Sequence, residues 1–486
     1  MRKGSITIFT TLSMILVAAV LFSLLEGMRF QEIRRISQLQ TELAVESFFA
    51  KYNVNMWKEY RLLGSEDVTL TQQLKSAANG RQMANNYGLN LFQTQVKDIH
   101  IDSLTRITDG KGSAYVYAAV SYMKKQIVYE TIQDLYNRYE AIRSLTQGGE
   151  IDLSKIDEAL QNIENIQKQT QQEDRAEEME AEVKKEEEGN IPQIENPLQV
   201  IKDLQEKGVL ELVISDTASL SDKEITGLSL VSNRELKESA SSQIPEREWV
   251  DKVLFQQYLL SYFSNYQSGK ENTPLTYELE YIISGKSKDI ENLKNMAEQL
   301  LVIRQILNFL YLISDAQAQE EAGVLAVALA GATANPVVID VVKMGILTAW
   351  AFGESILDVR ALFAGKKIPL LKSKNTWTLT LADFGRIVQK DFWAKESEAG
   401  IRYEDYLGIL LLFQNEESLA MRAMDLQELM IKEKYKDSGF LMDQLCIQAE
   451  VSVVYEYRPL FDFFQGLAEV MPWENQIQTR AAFSYY

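Results

Sequence analysis

From Ser5 to Leu25 no residue carries a charge and most are apolar, with Arg2 and Lys3 before the run and Glu26 after it. As a helix these twenty-one residues, at about 1.5 Å each, reach about 31 Å, enough to cross a hydrocarbon core of about 30 Å. A cleaved secretory signal would need a shorter apolar region and a small-x-small site behind it. Here the run passes unbroken into Glu26-Gly27-Met28-Arg29-Phe30, so the pattern predicts a retained anchor over residues 1–25. Beyond it Ile36, Leu39, Leu43 and Ala50 recur at helical spacing, with Phe48, Phe49 and Tyr52 beside the stripe. Glu32, Arg34, Arg35, Glu42 and Lys51 keep the other side polar. This predicts a helical stalk over 26–60, which either lifts the body from the bilayer, lies along a partner's helix, or folds back on its own domain.

Period two replaces helical spacing from Asp98 to Ile107, which reads as a strand. A turn at Asp109-Gly110-Lys111-Gly112 and a helix from Ala114 to Met123 complete a small α+β unit over 61–123. Residues 124–205 read as a protruding helical hairpin. It has a seam at Ile156, Leu160, Ile163 and Ile166, a break at Gly148-Gly149, and an acidic hinge from Glu173 to Glu188. A helical core is expected over 206–445, built on stretches such as Asp251 to Tyr266 and Asp289 to Ile313. Ala322 to Val338 is uncharged for 17 residues. Asn335-Pro336 interrupts it and Asp340 and Lys343 follow, so packed helices rather than a second span are expected. Cys446 to Tyr457 alternates, and Ile477 to Tyr486 is β-prone. Two such strands over 446–486, paired with the one near Ile101, would make a small antiparallel sheet. The predicted fold is therefore α+β and predominantly helical, with one transmembrane helix, a stalk, a helical core domain and a C-terminal sheet.

Composition narrows the function. At 486 residues the chain exceeds one hydrophobic core, and its 46% hydrophobic content excludes wholesale disorder. The net charge of −19 lies wholly beyond the anchor, whose charges are Arg2 and Lys3. A body this acidic repels nucleic acid and does not bind anionic lipid broadly. One cysteine, Cys446, permits neither an internal disulfide nor a cysteine zinc site. One histidine, His100, must carry any histidine chemistry, and no Gly-x-Ser-x-Gly motif accompanies it.

Two motif-like stretches do not hold. Gly110-Lys111-Gly112-Ser113 lacks the earlier glycine of a phosphate loop, having Thr105 there. Asp216-Thr217-Ala218-Ser219 has alanine where a metal-ion-dependent adhesion motif needs a serine ligand. No metal, cofactor or catalytic residue is assigned. The one candidate polar cluster is Lys343, Trp350, Glu354 and Asp358, spaced 7, 4 and 4 along one helix, with Arg360 nearby and Arg304 on a second helix. Charges on apolar helices pair internally, because an unpaired buried charge costs several kcal/mol. The cluster therefore reads first as a core network, next as a ligand contact, and last as an acid/base pair.

Arg2, Lys3 and the amino terminus favour the cytoplasmic side, while Arg29, Arg34 and Arg35 follow the span. The short leader is the end most easily kept inside, so the body is expected outside the cytoplasm. Met1-Arg2-Lys3-Gly4 followed by Ser5-Ile6-Thr7-Ile8-Phe9 resembles a type IV-pilin-type signal. More closely, it is similar to the N-termini of minor, pilin-like subunits of Tad pilus systems. The resemblance implies cleavage between Gly4 and Ser5. Such signals usually carry Glu five residues past the cut, where this chain has Phe9. The rest of the chain, from Tyr277–Ser287 to Tyr403-Glu404-Asp405-Tyr406, resembles an uncharacterised family of bacterial membrane-anchored proteins usually encoded beside such pilus genes, a resemblance that covers most of the chain and to which no activity is attached.

The expected function is a non-enzymatic, single-pass, extracytoplasmic scaffold or minor pilin-like component of a Tad-like pilus or secretion assembly. Its partners would be the membrane, through residues 5–25, and other pilin-like or secretion proteins. The alternative is an exported enzyme acting on wall polymer through paired carboxylates.

Overall fold

The computed structural model describes residues 3–67, 70–79, 94–126, 196–225, 229–239, 244–245, 247–270, 273–330, 336–458 and 475–486. Most of the hairpin expected over 124–205, with its seam and acidic hinge, lies outside the described residues. Helix α1 (Lys3–Phe49) opens the chain. Asn53 then caps α2 (Val54–Tyr60), its Oδ1 accepting the N–H groups of Asn55 and Met56 at 3.1 and 3.0 Å. The helix expected to run through 26–60 is thus two helices. Asn53 satisfies the first N–H groups of a new helix, and Phe48 and Phe49 are already buried before it.

Strand β1 (Ser65–Glu66), α3 (Leu70–Asn79), β2 (Thr94–Arg106) and α4 (Ser113–Gln126) follow. Between β2 and α4 the chain turns through Gly110, Lys111 and Gly112, all at positive φ. A Cβ at Gly112 would lie 2.8 Å from that of Ala420, so this turn needs glycine for space as well as conformation. Next come α5 (Pro197–Gln205), capped by Asn196 with proline in its first turn, and α6 (Val209–Val213). Then follow α7 (Trp249–Tyr262), the short α8 (Glu278–Ser284), α9 (Asp289–Ser314), α10 (Ala316–Ala330) and α11 (Pro336–Phe363). The chain closes with α12 (Tyr403–Phe413), α13 (Glu416–Tyr435), β3 (Leu445–Tyr457) and β4 (Gln476–Ser484). The protein is α+β and mostly helical, with a long apolar N-terminal helix and a small antiparallel sheet near its C-terminus.

Contacts divide the chain into two interleaved units rather than the contiguous blocks that sequence order suggested. The first comprises residues 1–127, 229–255 and 416–486, the second 128–228 and 256–415. In the first unit β3 is central. β2 pairs along one edge, with Ile99 opposite Val453 and Ile101 opposite Val451. β4 takes the other edge, with Ala481 opposite Val451, and β1 extends that edge at Cys446.

α1 supplies Ala44, Val45, Phe48 and Phe49 to the core over this sheet, against Ala449, Val451, Val453 and Tyr455. Phe49 stacks on Phe483 at 4.5 Å. Small polar residues let the helix approach: buried Thr41 shares hydrogen bonds with Thr479 at 2.6 Å and the Tyr455 hydroxyl at 3.1 Å. The second half of α1 is therefore part of this unit and does not stand free of it.

In the second unit α9 and α11 pack side by side, burying Leu293, Met296 and Leu300 from one and Ile346, Ile356 and Leu357 from the other. Among the described residues three helices are long and apolar enough to cross a membrane by length and composition: α1 from Ile6, α9 and α11. They differ in what surrounds them. The apolar window of α1 holds no buried residue, whereas α9 and α11 bury Arg304, Glu354 and Asp358 completely and pair them inside the unit. α1 is the helix suited to anchor the chain in a membrane.

Candidate functional site

The spacing of Trp350, Glu354 and Asp358 along α11 puts the three on one face, and all are buried. Trp350 donates its Nε1–H to the Leu379 carbonyl at 2.6 Å. Arg304, one turn before Asn308 on α9, meets Asp358 across the helix pair: its Nε lies 3.0 Å and its Nη2 2.9 Å from Asp358 Oδ2. Arg304 Nη1 also donates to the carbonyls of Pro369 and Leu370 and to the Tyr406 hydroxyl, at 2.9, 2.9 and 3.0 Å. Asn308 Nδ2 donates to Asp358 Oδ2 at 2.9 Å.

The second cation comes from outside the predicted set. Lys372, on the chain after α11, places Nζ 2.6 Å from Glu354 Oε1 and 2.7 Å from Asp358 Oδ1. Burial alone would lower the Lys372 ammonium, but Asp358 and Glu354 carry its pKa above the ordinary lysine value. Glu354 is held further by the N–H groups of Thr378 and Leu379, at 3.1 Å to Oε1 and 2.7 Å to Oε2. Two cations and two carboxylates, all with fully buried side chains, balance. An acid/base pair needs an oxygen open to substrate. Here the carboxylates are occupied by the chain's own donors, so the arrangement joins α9, α11 and the following segment.

Two other predicted members fall elsewhere. Arg360 donates to the carbonyls of Leu212, Gln389 and Phe392, at 2.5, 2.8 and 3.2 Å, and so ties α6 to the segment after α11. Lys343 is partly exposed, its stem beside Gly323 on α10. Helical spacing found the acids and Arg304 but not Lys372, because a loop residue has no period. The signal that remained was charge balance, since two buried acids facing one arginine demand another cation.

A second buried network joins the two stretches singled out above. Tyr403 Oη donates to Glu280 Oε1 at 2.7 Å, and the Tyr266 N–H donates to the same oxygen at 2.8 Å. Glu280 Oε2 is buried without a hydrogen-bond partner among the described residues. Burial raises the Glu280 carboxyl to about 7 against those two donors. Burial also raises Glu278, which accepts from the Ser264 N–H and hydroxyl, both at 2.8 Å. Asp289 accepts from Ser221 Oγ and from the N–H groups of Thr276 and Tyr277. Tyr403 is pushed well above the ordinary tyrosine value by burial and by Glu280.

The remaining candidates are poor sites. His100 is exposed on β2, 3.3 Å from Asp98. Burial pushes the Cys446 thiol up to about 12, which leaves it unreactive. Asp216 Oδ1 accepts the Ala218 N–H in a local turn after α6, not after a strand. Gly4 and Ser5 lie in the opening turns of α1. Among the described residues no group of three or more His, Cys, Asp or Glu side chains is placed to hold a metal ion.

A family of unknown function, DUF5702, matches residues 186–457, more than half of the chain. No curated protein and no solved structure matches it.

Proposed function

We propose for this chain, which belongs to the DUF5702 family, the role of a membrane-anchored, extracytoplasmic, non-enzymatic scaffold or minor pilin-like component of a Tad-like pilus or secretion assembly. The observation that carries the reading is α1. It is a continuous helix whose first half is uncharged and mostly apolar from Ile6 to Leu25 and whose second half is built into a folded unit. Such a helix holds a body to a bilayer and presents a face on which similar helices can pack. The leader Arg2-Lys3 favours the cytoplasm, which puts the body outside. Phe9 in place of the pilin carboxylate suits an accessory subunit better than a filament's building contact.

Two further observations support a scaffold over a wall-polymer enzyme. Glu354 and Asp358 are closed behind Lys372 and Arg304 rather than opposed across a cleft. Within the second unit Val324 and Val327 on α10 and Val337 on α11 are exposed apolar side chains of the kind that partners cover. The test is purification of the full chain from crosslinked native membranes, with mass spectrometry of the chain and its partners. Pilus or secretion components and a mature N-terminus at Ser5 are expected. Absence of any such component would overturn the assembly role, and an intact Met1 would overturn processing.

A further inference from the structure

The level at which a bilayer ends is marked on α1. Between Ile6 and Leu25 the side chains are uncharged, with Ile6 exposed at 64%, Phe9 at 71% and Leu25 at 50%. The first charges beyond them are Glu26 and Arg29, paired at 2.5 Å. The sheet begins at this same turn. Arg29 Nη2 donates to the Arg458 carbonyl at 2.7 Å, and the Phe30 ring lies 5.7 Å from that of Tyr457. Tyr457 ends β3 opposite Thr94 at the start of β2, and Glu456 pairs with Gln476 at the start of β4. One end of the sheet is therefore gathered beside residues 29 and 30.

From Leu25 to Arg29 the helix climbs about 6 Å at about 1.5 Å per residue. The headgroup layer on each side of the hydrocarbon core is about 5–8 Å deep. Helix tilt reduces the climb further. A sheet end held at that height has no room to stand clear of the membrane.

We infer that the end of the sheet formed by Tyr457, Arg458 and Gln476 is a docking surface for the phospholipid headgroup layer, so that the first unit sits flush on the bilayer instead of being raised on a stalk. The inference rests on the anchoring role proposed for α1. Its chemistry suits that layer. Tyr457 brings an amphipathic ring to the interface, where tyrosines concentrate, and Phe30 packs beside it. Arg458 is exposed and meets Arg29 only through its backbone carbonyl, so its guanidinium carries a positive charge suited to lipid phosphate. Glu26 and Glu456 stand at the same level, so the contact is local and adds no broad affinity for anionic lipid. The occupant is the bilayer itself, continuous with the surface that already surrounds α1.

Site-directed spin labelling of the full chain tests this. Cys446 is fully buried, so a nitroxide attaches at an introduced cysteine. Arg458→Cys and Gln476→Cys report from the docking end. Ser484→Cys, which pairs with Gln448 nine residues before Tyr457 on β3, reports from about 30 Å away along the sheet. In phosphatidylcholine–phosphatidylglycerol vesicles containing a nickel-chelating lipid, enhanced relaxation is expected at positions 458 and 476 and not at 484. Equal, unenhanced relaxation at all three, in protein still resistant to carbonate extraction, would overturn flush docking and leave the anchor standing. Loss of carbonate resistance would overturn the anchor and the docking together. Agreement between the 458 and 476 labels guards against a local folding defect in either variant.

Discussion

Glu280 shows how far one side chain's surroundings can move its chemistry. It is fully buried, with Oε1 taken by two donors and Oε2 without a hydrogen-bond partner among the described residues. Burial raises its carboxyl to about 7, whereas an exposed glutamate titrates near 4.3. The folded state therefore binds a proton that the unfolded chain has released between those two values. Stability from this group is full below about pH 4, falls as pH rises through that window, and is lost above about pH 7. The difference amounts to about 4 kcal/mol as an upper figure. Glu280→Gln keeps an acceptor for Tyr403 and Tyr266 and cannot ionise. We expect it to leave stability unchanged near pH 4.5 and to raise it near pH 8 relative to the wild type, as read by urea midpoints at both values. A variant whose pH dependence matches the wild type would show that Glu280 is not the titrating group. In the sequence this residue is one acid among many. Its raised carboxyl comes from burial among distant segments, Tyr403 lying 123 positions away, and no local pattern carries that.

Among the elements, α11 illustrates where helical spacing is enough and where it stops. Its charged and aromatic positions were legible at intervals of four, and its start at Pro336 follows from proline's tolerance at a first turn. Gly353, within the same helix, was not legible. In an open helix glycine-to-alanine gains about 1 kcal/mol. Here a Cβ would lie 2.6 Å from Leu379 Cδ2 and 3.2 Å from both Ile387 Cδ1 and Phe384 Cζ. Overpacking a filled core costs about 1–3 kcal/mol, so the clash outweighs the helix gain. Gly408 on α12 offers the contrast, because its nearest obstacle is Gln256 Nε2, the end of a flexible side chain, at 2.5 Å. Chemical denaturation should find Gly353→Ala destabilised by about 1–2 kcal/mol and Gly408→Ala within about 1 kcal/mol of wild type. Equal costs at the two sites would mean that packing space does not decide between them. The strands were legible for a different reason. β3 alternates because its faces are unequally buried, and β2 and β4 take register from that alternation.

For the whole molecule, the N-terminal helix has two roles that separate near residue 25. Removing residues 1–25 takes away no fully buried side chain among the described residues, so the remaining chain should be soluble and retain its unfolding transition. Removing residues 1–49 also takes Ala44, Val45, Phe48 and Phe49 out of the core. Each large core side chain lost costs about 2–5 kcal/mol, and a domain's total stability is about 5–15 kcal/mol. The shorter protein should therefore lose protection of β3 amides from hydrogen exchange. Retained protection would show that the sheet does not need the helix.

Local pattern was enough to place several elements of this protein. An uncharged run long enough to span a bilayer, helical spacing through α9 and α11, and alternation in β3 each reflect a periodicity written into neighbouring residues. The tertiary structure decided what those elements do together. It set the second half of α1 against β3 and β4, supplied Lys372 to acids on α11, and split the chain into interleaved units. The reason is physical. Periodicity reports which face of an element avoids water, but the partner that covers that face, and the charge that neutralises a buried acid, come from distant parts of the chain.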